Sequence, residues 1–378
     1  MRGSNTGMML GLLLLGCAQT PKAKITKPSA QVISDSNRVA VVINASNTDS
    51  VRIGEYYAAK RKIPIKNVIR ISTAHSEEIT PDAYALEIEA PVRKALSKLP
   101  GIDFIVLTKG TPIRIGDQGG YSVDGALAGM NLKTRQIKQK VGQFLPDEQD
   151  MNMAVREARN PYFASTERFS SKKFGGMYLV TRLIGYTVQD CLKLVDNSLN
   201  AKADKGPFLI DSQPNYGPGS GYYSMEQLMQ RATQAMQLKS ADVYYEQTES
   251  FSDGREPLMG YISWGSNDNK FDADAYHRLK FKPGAIAETY VSTSARTFGP
   301  NRAGQSLIGD LIQQGVTGAK GYVSEPFTFA LCPGEFLFGR YYSGFNLAEA
   351  FYAASPVVKW KDMVIGDPLC RPYKTAKL

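Results

Sequence analysis

Apolar residues along the chain fall into two alternating patterns. Short runs rich in β-branched residues are one: Arg38-Val-Ala-Val-Val-Ile-Asn44, Val68-Ile-Arg-Ile71, Phe104-Ile-Val-Leu107, Tyr178-Leu-Val-Thr-Arg182 and Phe208-Leu-Ile210. Met259–Ser263, Ala285–Val291 and Ala319–Val323 continue the series, with a last short run near Val364. Runs of this length and composition predict buried strands. Between them, apolar positions recur at helical spacing. Val51, Ile53, Tyr56 and Tyr57 predict a helix capped from Ser46 to Asp49 and ended at Pro64. Thr80-Pro81 opens another helix, to about Leu99, with a kink near Pro91. Further helices are predicted over 188–200, 224–238, 306–315 and 346–354. Strands alternating with helices define an α/β fold, with parallel sheets flanked by helices.

Two segments interrupt this rhythm. Gly116 to Gly120 is a turn-rich loop, and about 133–173 is a polar, basic insertion. Gly217-Pro-Gly-Ser-Gly221 lacks both the nucleotide fingerprint and a Gly-Lys-Ser/Thr ending, and reads as a loop. No solenoid-type repeat is present. The pattern divides into an N-terminal α/β sub-domain over 38–200 and a second over 201–378.

The first residues have a different character. Met1-Arg2 is followed by the apolar run Met8–Leu15, too short to span a bilayer and of the length of a signal-peptide core. The run ends in Leu14-Leu15-Gly16-Cys17, which resembles the lipobox of bacterial lipoproteins. That resemblance implies removal of residues 1–16 and lipid attachment to Cys17, hence a membrane partner held through the N-terminal lipid. Ala18 after the cysteine implies, by the same resemblance, the outer membrane of a Gram-negative envelope, facing the periplasm or the outside. Residues 17–37, rich in Lys, Pro, Ser and Thr, predict a flexible tether.

Composition narrows the chemistry. The net charge is +9, but basic and acidic residues are interspersed, and an exported chain has no nucleic-acid partner; an envelope protein or polysaccharide fits better. The chain has only two histidines, His75 and His277, which excludes a three-histidine metal site. Beyond Cys17 stand Cys191, Cys332 and Cys370, so at most one internal disulfide forms. No cofactor motif and no metal motif is present: the oxygen-rich stretch Asn267–Asp274 lacks the glycine and terminal Glu of a calcium loop and reads as solvated.

Candidate chemistry gathers at strand ends, because ligands of open parallel sheets bind beyond the carboxyl ends of the strands. Trp264, Ser266, Asn267 and Asp268 follow one predicted strand, Arg296 the next, Glu325 the next and Asp367 the last; together they form a candidate binding rim. The order "Trp-Gly-Ser-Asn; Ser-Thr-Ser-Ala-Arg; Gly-Ala-Lys-Gly-Tyr-Val; Leu-Ala-Glu-Ala-Phe; Val-Ile-Gly-Asp-Pro-Leu" over Leu258 to Leu369 resembles the caspase-like, gingipain-type peptidase domain. The resemblance implies a His-Gly at the end of one strand and a nucleophilic Cys at the end of the next. Here Trp264 stands at the first position and Thr293 or Ser294 at the second, so the thiolate–imidazole pair is missing. Asn44, Asp49-Ser-Val51, Tyr56-Tyr57, Tyr121–Asp124, Asn160–Phe163, Tyr178–Arg182, 284–296 and 316–368 also resemble a bacterial family found with exosortase-type protein sorting. This second resemblance implies a cell-envelope role and assigns no reaction. Three readings follow: a degenerate peptidase-like domain binding a peptide or glycan at the rim, with Arg296 pairing a carboxylate; a serine hydrolase using Ser292 or Ser294 with His277; or a purely structural lipoprotein.

Overall fold

The computed structural model describes residues 35–116, 120–133, 158–254 and 256–373. Cys17, the leader and most of the tether lie outside them, as does 134–157 of the predicted insertion. The tether's last residues are already part of the fold: Asp35–Arg38 form a 3-10 turn, and Arg38 bridges Asp35 and Asp103.

Ten strands form a single sheet: β1 Val39–Asn44, β2 Val68–Ile71, β4 Phe104–Thr108, β7 Leu179–Leu183, β8 Phe208–Asp211, β9 Val243–Glu246, β10 Leu258–Ser263, β11 Phe281–Thr289, β12 Gly318–Tyr322 and β13 Asp362–Gly366. Their spatial order is β2-β1-β4-β7-β13-β12-β11-β10-β8-β9. Every pairing is parallel except β12 with β13. The sheet is therefore two five-stranded parallel units laid head to tail. Numbered by their own chain order, both units read 2-1-3-4-5: β2-β1-β4-β7-β13 and β9-β8-β10-β11-β12. The fifth strand of the first unit is the last strand of the chain. The chain passes from the first unit to the second between β7 and β8, and β13 crosses back.

Apart from β2, the edge strand β9 and the first residues of β11 and β13, the strand residues are buried, as expected for a sheet covered on both faces. Helix α1 (Thr48–Arg61) is capped by Asn47, whose side chain accepts from the Ser50 N–H. After α2 (Pro81–Ala83), the backbone widens into a π-helical stretch over Tyr84–Glu89 before α3 (Ala90–Leu96). This is the predicted disturbance near Pro91, whose nitrogen has no hydrogen to give the preceding turn. Then follow α4 (Val123–Ala128), α5 (Val188–Leu199, with a Thr187/Asp190 capping box), α6 (Tyr223–Gln237), α7 (Ala273–Arg278), α8 (Ile308–Gln313), α9 (Gly334–Tyr342) and α10 (Leu347–Ala353). In the second unit, Gly260 and Gly318 lie against α9 and α10, while Gly321, of opposite parity, lies against Ile308 of α8.

Buried charge secures the junctions. Lys320 of β12 is fully buried and sits 3.1 Å from Asp362 of β13, closing the antiparallel join. Arg182 of β7 is fully buried and donates to Asp124 of α4 at 2.7 Å and to the Thr111 and Pro112 carbonyls at 2.9 Å. A small sheet of β3 (Glu78–Ile79), β5 (Arg114–Ile115) and β6 (Tyr121–Ser122) is tied to the second unit by Arg114, which donates to the Val323 carbonyl at 2.9 Å.

Cys191, Cys332 and Cys370 are buried and free. Burial pushes the thiols of Cys191 and Cys332 up to about 12 and that of Cys370 up to about 11, so all three are inert packing groups. No helix among the described residues is long and apolar enough to cross a membrane.

Candidate functional site

In each unit the strand order reverses between its first and third strands. That is where an open parallel sheet leaves a crevice beyond the carboxyl ends. In the second unit the crevice lies between β8 and β10. The predicted rim from 264 to 268 is on its edge, but most of its side chains are occupied.

Trp264 is only 1% exposed. Its indole N–H donates to Glu226 of α6, which also accepts from Ser212 Oγ and from the Gln213 N–H. The Trp264 ring packs edge-on to Tyr216, Tyr222 and Tyr290 at centroid separations of 4.7, 5.1 and 5.4 Å. Ser266 and Ser306 exchange backbone-to-hydroxyl hydrogen bonds at 3.1 and 2.9 Å. Asn267 donates to the Tyr290 carbonyl at 2.6 Å and accepts from Gln305 at 3.0 Å. Asp268 accepts from the Gln213 amide at 2.5 Å and from the Lys270 N–H at 2.7 Å.

Arg296 does not present its guanidinium to a ligand. It donates to the carbonyls of Thr293, Arg302, Ala303 and Gln305, at 2.6 to 3.2 Å, and staples the 293–305 loop. Partial burial among these carbonyls lowers its pKa. Glu325 accepts from the Phe327 N–H at 2.9 Å, shaping a turn in which Phe327 takes the left-handed φ of 60°. Beside it, burial lowers the Lys361 ammonium to about 8 against the opposing pull of Glu325.

Asp367 is not on this rim. β13 runs opposite to β10, β11 and β12, so its carboxyl end lies at the other edge of the sheet. There Asp367, fully buried, accepts from Tyr57 at 2.9 Å, Arg61 at 2.6 Å and Ser198 at 2.8 Å, locking α1 and α5 to the strand.

The proposed Ser–His pair is not assembled. Ser294 is fully buried, its hydroxyl facing the Tyr322 N–H at 3.4 Å above Gly321, where a Cβ would approach the same oxygen to 3.0 Å. His277, on the exposed end of α7, pairs instead with Asp310 at 3.5 Å, and no hydrogen bond joins it to Ser292 or Ser294. The other histidine lies at the crevice of the first unit, where His75 Nε2 is 3.2 Å from Ser46 Oγ. The Ser46 proton is committed to Asn44 Oδ1 at 2.7 Å, so this ring is not placed to take it.

Sequence reasoning missed the groups that line the crevice from β8 and α6. These are Asp211, Gln213, Tyr216 and Glu226. Asp211 was legible as the single carboxylate closing the apolar run Phe208–Asp211. Glu226 carries no such signal, because only the packing of α6 brings it to Trp264.

The strand order, with helices on both faces, gives an α/β fold of caspase-like architecture. The chain is similar to the pro- and mature-domain complex of RgpB from Porphyromonas gingivalis, with a TM-score of 0.51 at 8% identity, covering 88% of this chain and 79% of that one. A structure described as a protease aligns with a TM-score of 0.46 at 11% identity, over 90% of this chain and 79% of that one. No protein-family model matches the chain, and no curated protein does.

Proposed function

We propose that this chain is a lipid-anchored envelope protein that uses a peptidase-type scaffold to bind, not cleave, a peptide or glycan. The anchor is Cys17 at an outer membrane, and the ligand belongs to envelope protein sorting or to extracellular polymer. One observation carries the reading. The base position of the resemblance holds Trp264 and the nucleophile position Thr293 or Ser294; Trp264 and Ser294 are buried, and all three side chains are bound internally. What the crevice offers instead is recognition chemistry. Tyr222 is 41% exposed, Tyr216 is half-buried against it, and the polar edge of Asn267 and Gln305 lies above. Aromatic faces with polar tips suit sugars and extended peptides.

The test is a peptide and glycan array probed with the full chain in detergent, beside Tyr222→Ala. The reading expects retained ligands whose binding falls roughly tenfold in the variant, the loss of one well-packed aromatic contact. Labelling by a serine-reactive fluorophosphonate that Ser294→Ala abolishes would overturn it in favour of a hydrolase.

A further inference from the structure

On the face of the second unit opposite Trp264, the register lines up Asp211 of β8, Ser263 of β10 and Thr289 of β11 across adjacent strand ends. Laterally paired residues of parallel strands point to the same face, and Tyr261, two residues before Ser263, points there too. Asp211 is 2% exposed, and neither carboxylate oxygen has a hydrogen-bond partner. The Ser252 N–H approaches it without reaching ordinary hydrogen-bond geometry. Thr289 Oγ1, fully buried, is likewise without a partner, and the Tyr261 hydroxyl approaches only Ser263, without reaching ordinary hydrogen-bond geometry; Ser263 Oγ itself accepts from the Gly265 N–H at 3.0 Å. Four buried oxygen atoms on neighbouring positions of one sheet face are thus left unbonded, where buried polar groups are normally satisfied.

The charges acting on Asp211 share one sign. Among the described residues the largest come from Asp268, Glu246 and Glu226, with no basic side chain beside them. A buried carboxylate without a counter-charge is costly, and all the neighbouring donors are hard oxygens. We propose that Asp211, Ser263, Thr289 and Tyr261 form a binding site for a hard cation such as Ca2+, anchored by the Asp211 carboxylate at the β8/β10 crevice. No three His, Cys, Asp or Glu side chains among the described residues converge as a conventional metal centre. One anchoring carboxylate among neutral oxygens instead suits a hard ion held at the millimolar strength typical of extracellular calcium modules. Of the stretch Asn267–Asp274, only Asp268 contributes, through its charge; Asp272 is occupied as the α7 cap, accepting from the Ala275 N–H at 3.0 Å.

The site stands apart from the ligand proposed for the Tyr222 side of the sheet and is tested without it. Full chain in detergent, stripped with chelator, is titrated with Tb3+ and its tyrosine-sensitised emission is followed, with Ca2+ as competitor. Thermal unfolding is recorded with and without millimolar Ca2+. Wild type is expected to give saturable emission that Ca2+ displaces and a melting temperature that Ca2+ raises. Both responses vanish in Asp211→Asn, while Thr289→Val, which keeps the carboxylate, weakens binding roughly tenfold. Asp211→Asn relieves a buried charge, so its metal-free melting temperature does not fall, and loss of emission then means loss of the site. Emission unchanged in Asp211→Asn, or a wild-type melting temperature indifferent to Ca2+, overturns the proposal.

Discussion

The two units of the sheet share one strand order and treat the same crevice in opposite ways. In the first, between β1 and β4, Asn44 is fully buried and fully used. It donates to the Thr73 and Gly110 carbonyls at 3.1 and 2.7 Å and accepts from Ser46 and Thr73. A buried acid of this unit, Asp124, faces a buried arginine. In the second, between β8 and β10, the buried acid at the crevice, Asp211, has neither a cation nor a hydrogen-bond donor in ordinary geometry among the described residues. One crevice is sewn shut by its own side chains; the other keeps polar groups in reserve. Identical topology therefore does not fix where function sits, which is decided by the side chains placed at the strand ends.

The comparison breaks most sharply on its charges. Asp124→Asn strands the buried Arg182 guanidinium and is expected to cost about 3–5 kcal/mol, read as a drop in denaturant midpoint. Asn44→Ala leaves buried carbonyls and N–H groups unpaired in the closed crevice and should cost about 2–3 kcal/mol by the same measurement. If Asn44→Ala were neutral, the first crevice would not be sewn shut at all.

Asp211→Asn should act with the opposite sign. Burial, aided by Asp268, raises the Asp211 carboxyl from 3.8 to about 8. A carboxyl raised in the folded state binds its proton more tightly there than in the unfolded chain. Its contribution to stability is thus full at acid pH and is lost as pH rises from about 4 to about 8. Melting curves of metal-free protein across that window should show a slope in wild type that flattens in Asp211→Asn, with the variant the more stable at pH 8. The smallest effect belongs to His277→Ala. Its partner Asp310 is reached from a ring that is 55% exposed, so the variant should lie within about 0.5 kcal/mol of wild type. A large loss of stability or of ligand binding there would restore a role for the imidazole.

Much of this architecture is visible in the chain itself, because buried parallel strands are apolar on both faces and announce themselves as runs. The strands from β1 to β12 that are apolar throughout match their predicted runs to within a few residues. β9 escaped because Val243-Tyr-Tyr-Glu246 is half-exposed at the sheet edge and reads as neither pattern. The direction of β13 was not readable, since a run as short as Met363–Ile365 carries no sign of which way it will lie. That one ambiguity misplaced Asp367. Arg296 misled for a different reason: a guanidinium at a strand end looks the same in sequence whether it awaits a carboxylate or binds its own loop. Asp211 was within reach of sequence reasoning, but its lack of partners is a property of packing alone.

The placement of β13 also sets the order in which this molecule can be made. The first unit's four other strands are complete by Leu183, yet their sheet gains its fifth member only when residues 362–366 arrive. Until then β7 and β12 each present a bare edge, the kind that pairs with other chains. A product truncated before Asp362 would therefore not be a smaller version of the protein, for the first unit would lack its fifth strand and the second would keep an open edge. Its expected fate is aggregation or proteolysis.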